Sequence, residues 1–361
     1  MIKASAPGKL YIAGEYAVVE PGHPAILVAI DQFITVSLEK TEKVGSITSK
    51  QYGNLPITWK RENDRLVLDK RENPFHYILA AIEVTEKFVK ESGKPLSFYH
   101  LSVDSELDSS SGKKYGLGSS AAVTVATVKA LLRYYGLEHT SSVAVFKLAA
   151  LAHLSVKSNG SCGDIAASVY GGWLAFSTFD REWVLEKQEQ ASVTELLKMD
   201  WPHLNIEPLT PPEDLRLVIG WTGSPASTSH LVDEVTSNRS HDEQSYTSFL
   251  EASKACVSEM IQAFKEGDIP VIQQKIRENR QLLKKMSQRT GVVIETPALS
   301  NLCELAEQYR GAAKSSGAGG GDCGIVLFNT KDGILSLITE WEKNDITNLP
   351  LHVYRKDEAG V

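Results

Sequence analysis

The chain has 361 residues, 42% hydrophobic and 23% charged, with 38 Lys and Arg against 45 Asp and Glu for a formal net charge of -7. That length exceeds what one hydrophobic core usually organises, so about two folded units are expected, and the apolar fraction is enough to bury both. The composition excludes a disordered chain, the acidic balance argues against nucleic acid as a partner, and no run approaches the roughly 18 apolar residues of a membrane span.

The opening Met1-Ile2-Lys3-Ala4-Ser5-Ala6-Pro7 lacks the apolar stretch of a secretion signal, which makes a cytoplasmic protein the expectation. Ile2–Ala6, Ala25–Ile30 and Phe33–Leu38 read as strands separated by Pro, Gly and Asp turn signals, and short alternating pieces continue the pattern from 44 to 69. Asn73-Pro74 predicts a helix start, with Asn as cap and Pro at the first position, and the helix runs to about Lys90 before Gly93 and Pro95. A strand at about 97–103 and a polar loop lead to a helix ending near Tyr135, a second spans Ser142 to Leu154, and another starts near Asp164. Glu207-Pro208-Leu209-Thr210-Pro211-Pro212 looks like a boundary or surface connection, after which Leu215 to Trp221 resumes as a buried strand. Helices are expected at about 228–239, 241–265, 268–288 and 297–310, then a glycine cluster entering the strand Cys323–Phe328, a helix at about 333–344 and a strand at about 349–354. Strands and helices mixed in two groups imply an α+β protein in two halves.

Four segments carry chemistry. Tyr115-Gly116-Leu117-Gly118-Ser119-Ser120-Ala121-Ala122 has two glycines that let the backbone approach a ligand and two hydroxyl donors. The helix that follows offers free N–H groups and a positive dipole end, which favour an anion such as phosphate. The same residues would also serve as a plain glycine turn and serine cap. Gly116-x-Gly118-x-x-Ala121 fits the dinucleotide fingerprint in form only, because Ser109 to Lys114 make no strand ahead of it. Lys314-Ser315-Ser316-Gly317-Ala318-Gly319-Gly320-Gly321-Asp322 carries too many glycines before a buried strand to be a simple linker. Ala6-Pro7-Gly8-Lys9 presents a lysine after a turn glycine, suited to an anion or equally to a solvated surface, and Asn159-Gly160-Ser161-Cys162-Gly163-Asp164 places in a first helical turn a carboxylate that either stabilises the helix dipole or accepts a proton or orients a nucleophile. Lys9, Lys113, Lys114 and Lys314 all flank these glycine turns, so the site is expected to be locally positive within an acidic chain. Cys162, Cys256, Cys303 and Cys323 are far apart and show no zinc-binding or disulfide spacing.

In order and separation, P-G-K-L-x-x-x-G-E from Pro7, G-L-G-S-S-A-A from Gly116 and K-S-S-G-A-G-G-G-D-C-G from Lys314 resemble the GHMP kinase superfamily over nearly the whole chain. The resemblance implies a two-domain α+β fold, with an ATP-binding domain like domain 2 of ribosomal protein S5 over 1–210 and a ferredoxin-like domain over 211–361. Lys9 to Val18, with Tyr16 where mevalonate kinases carry His, is most similar to the bacterial phosphomevalonate kinase branch. So are Lys113 to Ser120, Asn159 to Asp164, Gly220-Trp221-Thr222, Ser229-His230 and the Asp322 that interrupts the glycine run.

That branch implies ATP, Mg²⁺ and phosphomevalonate as ligands. Gly116, Leu117, Gly118, Ser119, Ser120, Ala121 and Ala122 would hold the ATP phosphates, with Ser120 also reaching the metal. Asp164 would orient the acceptor, Lys9 would pair with it, and Lys114 would bridge the donor and acceptor phosphates. Tyr16, Ser161 and His230 are candidate substrate contacts. Ser315, Ser316, Gly317, Ala318 and Gly319 would line the acceptor or support the phosphate loop. His153 falls about where mevalonate kinase has a glutamate ligand for Mg²⁺. Mevalonate kinase, another small-molecule kinase of this fold, or a non-catalytic ligand sensor on the same scaffold are the alternative readings. Nothing in the sequence specifies an oligomeric state.

Overall fold

The computed structural model describes residues 1–52, 55–62, 65–68, 74–108, 115–223, 231 and 243–356. Lys113, Lys114 and His230 therefore lie outside the described residues, as does nearly all of the helix expected at 228–239.

The first half is built on one mixed sheet. Its strands are β1 (Ile2–Ala13), β2 (Pro24–Thr41), β3 (Gly45–Ser49), β4 (Ile57–Glu62), β5 (Arg65–Leu68), β6 (Phe98–Ser105), β7 (Trp173–Ser177) and β8 (Asn205–Leu209). The order is β5-β4-β3-β6-β2-β7-β8, with β1 antiparallel on β2. The two expected strands Ala25–Ile30 and Phe33–Leu38 are one continuous strand, β2. Pro7-Gly8 and Asp31 mark an irregularity in its pairing rather than a turn: the register passes from Pro7 opposite Phe33 to Gly8 opposite Ile30. Helices α1 (His76–Glu91), α2 (Ser119–Tyr134), α3 (Ser142–Ser155) and α4 (Gly163–Tyr170) form the layer associated with this sheet, α2 and α4 packing on β1 and β2. Helix α1 begins two residues after Pro74, with the buried Phe75 at its N-cap position; the expected cap, Asn73, lies outside the described residues. Two short helices not foreseen in the sequence, α5 (Arg181–Gln190) and α6 (Val193–Lys198), are capped by Asp180 and by a Ser192–Glu195 capping box. Part of the proline-rich connection is the edge strand β8, where Pro208 is tolerated because an edge needs fewer ladder donors.

The second sheet is antiparallel. β9 (Arg216–Trp221), β10 (Ala312–Ser315), β11 (Cys323–Phe328) and β12 (Thr347–Leu349) are arranged β10-β11-β9-β12, the ferredoxin-like order in which the first strand lies between the third and fourth. Its helices are α7 (Glu243–Glu266), α8 (Ile269–Thr290), α9 (Pro297–Gln308) and α10 (Ile334–Glu342). The strand expected at 349–354 is displaced to β12. The residues after it leave the second sheet, Val353 bridging Ile30 and Tyr354 N–H donating to Ala29 O at 3.0 Å.

One apolar cluster runs from the first sheet through Ile219, Met260, Ile276, Ile325 and Leu327 of the second half. A smaller cluster of Tyr16, Ala17, Phe249, Leu283, Met286, Ile294 and Ala318 ties the turn after β1 to the glycine loop. The two halves share core, and their glycine-rich segments meet beside it.

Candidate active site

A cavity of about 450 Å³ opens where β1, the start of α2, the loop before α4 and the loop between β10 and β11 converge. Gly118 is the left-handed N-cap of α2 (φ 81°), and the Ala122 N–H already bonds Gly118 O at 3.1 Å. The N–H groups of Ser119, Ser120 and Ala121 therefore stand ahead of the intrahelical ladder, at the positive end of the helix. Gly116 is also left-handed (φ 77°), and a Cβ there would lie 2.4 Å from Asp322 Oδ2, so both backbone conformation and space demand glycine. The loop is pinned to β1 by Lys9 N–H donating to Leu117 O at 2.9 Å, while Lys9 Nζ reaches Gly116 O at 3.4 Å.

Opposite stands the first turn of α4. Asp164 Oδ1 accepts from Ile165 N–H at 3.0 Å, leaving the carboxylate on the cavity. Cys162 before it is left-handed and buried, its thiol pushed up to about 12 first by burial and then by Asp164. Tyr11 and Ser161 share a hydrogen bond of 2.9 Å between their hydroxyls, and burial with the Asp164 charge raises the Tyr11 phenol far above its ordinary range. Arg181 braces this loop from outside by donating to Ser158 O at 2.9 Å and Gly160 O at 2.5 Å.

The residues singled out from sequence do not all meet. Lys9, Tyr16, Gly116, Leu117, Gly118, Ser119, Ser120, Ser161, Asp164, Ser316, Gly317 and Ala318 line the cavity. Lys9 and Asp164 line the same cavity without forming an ion pair, the ammonium lying by Gly116 O and over the Tyr11 ring, 5.3 Å from its centroid. Ala121 and Ala122 are core residues behind the loop, and the Ala122 N–H is spent within the helix. Ser315 is buried on β10 away from the cavity. Gly319 turns toward the protein: a Cβ would strike Ile294 O at 2.2 Å, and Gly320 N–H bonds that same oxygen at 2.8 Å. Lys314 adds no free positive charge, because it is fully buried in an ion pair with Glu15.

His153 lines the cavity as well, but not as a metal ligand through Nε2. The Thr124 hydroxyl gives its only proton to Ser120 O at 2.8 Å, so at 3.1 Å His153 Nε2 must be the donor to Thr124 Oγ1. Burial lowers the His153 pKa, Asp164 opposing, and favours the neutral ring.

Two family models match the chain: the GHMP kinases N terminal domain over residues 76–172 and the GHMP kinases C terminal domain over 260–346. A phosphomevalonate kinase of Streptomyces sp. (strain CL190) is 39% identical over 96% of this chain and 95% of its own. The chain belongs to the GHMP kinase family. Among solved structures, a Listeria innocua protein superposes on this GHMP kinase with a TM-score of 0.92 at 42% identity, covering 98% of each chain. A Streptococcus pneumoniae phosphomevalonate kinase in complex with phosphomevalonate and AMPPNP does so with a TM-score of 0.85 at 31% identity, over 98% of this chain and all of the other.

Several residues of this GHMP kinase site were not picked out from sequence. Tyr11 was legible, since it shares a strand face with Lys9 two residues away. Tyr77, which places its ring 4.8 Å from that of His153, arrives from α1 and left no local signal. Glu15 and Asp322 sit within the recognised motifs, but their partners come from distant parts of the chain.

Proposed function

We propose that the protein transfers the γ-phosphoryl group of ATP to the phosphate of (R)-5-phosphomevalonate, giving 5-diphosphomevalonate and ADP. The observation that carries this reading is the convergence on one cavity of an α-helix N-terminus, a lysine, an aspartate and a second glycine loop. The Streptomyces relative, matched over nearly its full length, bears this activity in its name. In this reading residues 1–210 form the ATP-binding unit and residues 211–361 the ferredoxin-like unit that completes the acceptor side.

An oxygen of the acceptor phosphate forms a bond to the γ-phosphorus as the bond from that phosphorus to the β,γ-bridging oxygen breaks, and ADP leaves with the electron pair. Such a transfer needs positioning and charge neutralisation more than covalent help. The free N–H groups and hydroxyls at Ser119 and Ser120 would hold the donor phosphates. Lys9 would neutralise the transferring group, and Lys114, outside the described residues, would bridge the donor and acceptor phosphates. Asp164 orients the acceptor. An acceptor phosphate, with a second pKa of about 6, is largely ionised near neutrality and needs no obligatory base. Tyr16, Ser161, His230, Ser316, Gly317 and Ala318 would contact the acceptor.

Magnesium fits the donor set in a limited way. The Ser120 hydroxyl and Asp164 carboxylate are hard oxygen ligands on the same cavity, yet no cluster of three or more His, Cys, Asp or Glu among the described residues would hold an ion alone. The ion would therefore be held mainly by the nucleotide, as Mg²⁺ commonly is. When bound it neutralises charge on the phosphates. We place the enzyme in the cytoplasm, which its four buried, free cysteines support.

The test is ADP release from ATP with phosphomevalonate, mevalonate, galactose or homoserine as acceptor. Release with phosphomevalonate alone is expected, and release with mevalonate but not phosphomevalonate would overturn the proposal.

A further inference from the structure

The strongest unexplained feature is a buried ion pair beside the cavity. Lys314 on β10 and Glu15 after β1 are 0% and 3% exposed, and they are 299 residues apart in sequence. The pair does more than join two charges. Lys314 Nζ also donates to Ser315 O at 2.6 Å, and Glu15 Oε1, which receives Lys314, accepts the Gly317 N–H at 3.3 Å. On either side, Ser316 Oγ accepts Tyr11 N–H at 3.0 Å and donates to Tyr11 O at 2.9 Å, and Tyr16 OH donates to Ala318 O at 2.5 Å. Residues 315–318 are thus tied, one after another, to the segment Tyr11–Tyr16 or to the lysine paired with it.

As a source of stability this arrangement is poor. Burying two charges carries a desolvation penalty that apolar residues of similar volume avoid. Glu15 Oε2 is moreover buried with no hydrogen-bond partner among the described residues, a further cost. What an apolar pair could not do is aim two backbone groups of the glycine loop. Nor does Glu15 act on a ligand directly, because its second oxygen is sealed from solvent although the residue borders the cavity.

We infer that Glu15 and Lys314 are a positioning pair that sets the Gly317 peptide, and with it Ser316 and Ala318, in the shape the acceptor meets. The inference rests on the reading of this cavity as a phosphomevalonate kinase site. It places the pair's effect on the acceptor half of the site and leaves the Gly116–Ser120 loop untouched.

The first experiment is the double variant Glu15→Gln with Lys314→Met, which removes both charges together and keeps their approximate volumes. The KM for phosphomevalonate should rise ~10-fold or more, since displacement of positioning groups by about 1 Å can cost a factor of ~100, while the KM for ATP stays within about twofold. Unchanged acceptor KM and kcat would overturn the inference. The second uses the wild-type chain and decides the matter even where the variant does not fold. Hydrogen exchange of peptides spanning 313–322 should show the Gly317 amide protected in the free protein, with little change on adding phosphomevalonate. Rapid exchange that slows many-fold only with phosphomevalonate would mean that ligand, not the ion pair, shapes the loop, and would overturn it. Protection in the free protein is read without turnover, so failure of the acceptor assay and failure of the positioning role are told apart.

Discussion

The Asp322 carboxylate closes directly over Gly116, so that a Cβ on the glycine would stand 2.4 Å from Oδ2 and 2.5 Å from Cγ. The two residues belong to different glycine motifs in different halves of the chain, and their contact joins the phosphate-type loop of the first half to the loop of the second. Asp322 is itself left-handed (φ 56°), and its carbonyl accepts from Thr222 N–H at 3.0 Å and Thr222 Oγ1 at 3.1 Å.

Gly116→Ala should therefore weaken ATP binding and stability together. The left-handed backbone alone costs about 1–2 kcal/mol for a residue with a Cβ, and the clash adds to it. Thermal melts should show a lower Tm, and the KM for ATP should rise ~10-fold or more, by analogy with other displaced positioning groups. Adding Asp322→Gly removes the clash but not the backbone strain, so Tm should recover in part; no recovery would mean the contact is not what glycine serves there.

Asp164→Asn separates function from folding. The amide oxygen can still accept the Ile165 N–H, and the lost helix-terminal charge is worth about 0.3–1 kcal/mol, so Tm should shift by only a few degrees. Turnover should fall ~100-fold or more, as for loss of a group that orients or takes a proton from a reactant. A variant that loses Tm and activity in parallel would mark Asp164 as structural.

His153 predicts an acid-side loss of stability. Burial holds its imidazole below the ordinary 6.5, with Asp164 pulling the other way. The unfolded chain then binds a proton that the folded chain resists, so stability is retained above pH 6.5 and lost as pH falls from there toward the lowered folded value. His153→Gln should show a shallower fall of Tm between pH 7 and 5.5. Identical slopes would exclude the assignment.

A control comes from a buried polar cluster outside the cavity lining. Glu86 on α1 receives Arg61 at 2.6 and 2.7 Å and the Tyr99 and Tyr135 hydroxyls at 3.0 Å each, and none of the four lines the cavity. Glu86→Ala leaves the guanidinium and both hydroxyls buried, which costs about 3–5 kcal/mol and should lower Tm on the order of 10 °C. Both KM values, measured well below that Tm, should stay at wild-type levels.

Much of the site was legible because its chemistry is local. Two glycines and two serines ahead of a small-residue helix state an anion site through φ angles and free N–H groups, and the structure puts Gly116, Gly118, Ser119 and Ser120 on the cavity. Less legible were elements whose existence depends on neighbours. β8 is an edge strand only because β7 pairs with it, and β10 was concealed in the approach to a glycine run because Lys314 and Ser315 carry no strand pattern of their own. The helix expected from Asn73-Pro74 starts at His76, and Asn73 itself lies outside the described residues.

The amino-acid order by itself determined the motifs, their spacing, the mixed two-part architecture and the kind of ligand their backbone geometry suits. Only the tertiary structure decided which glycine opens on the cavity and which turns into protein, as Gly317 and Gly319 show. Only it decided that Lys314 is neutralised rather than free. The physical reason is common to both. A positive φ can be read from a glycine, but what occupies the space beside it, or what charge answers a buried lysine, comes from other elements of the fold, 299 residues away in the case of Lys314 and Glu15.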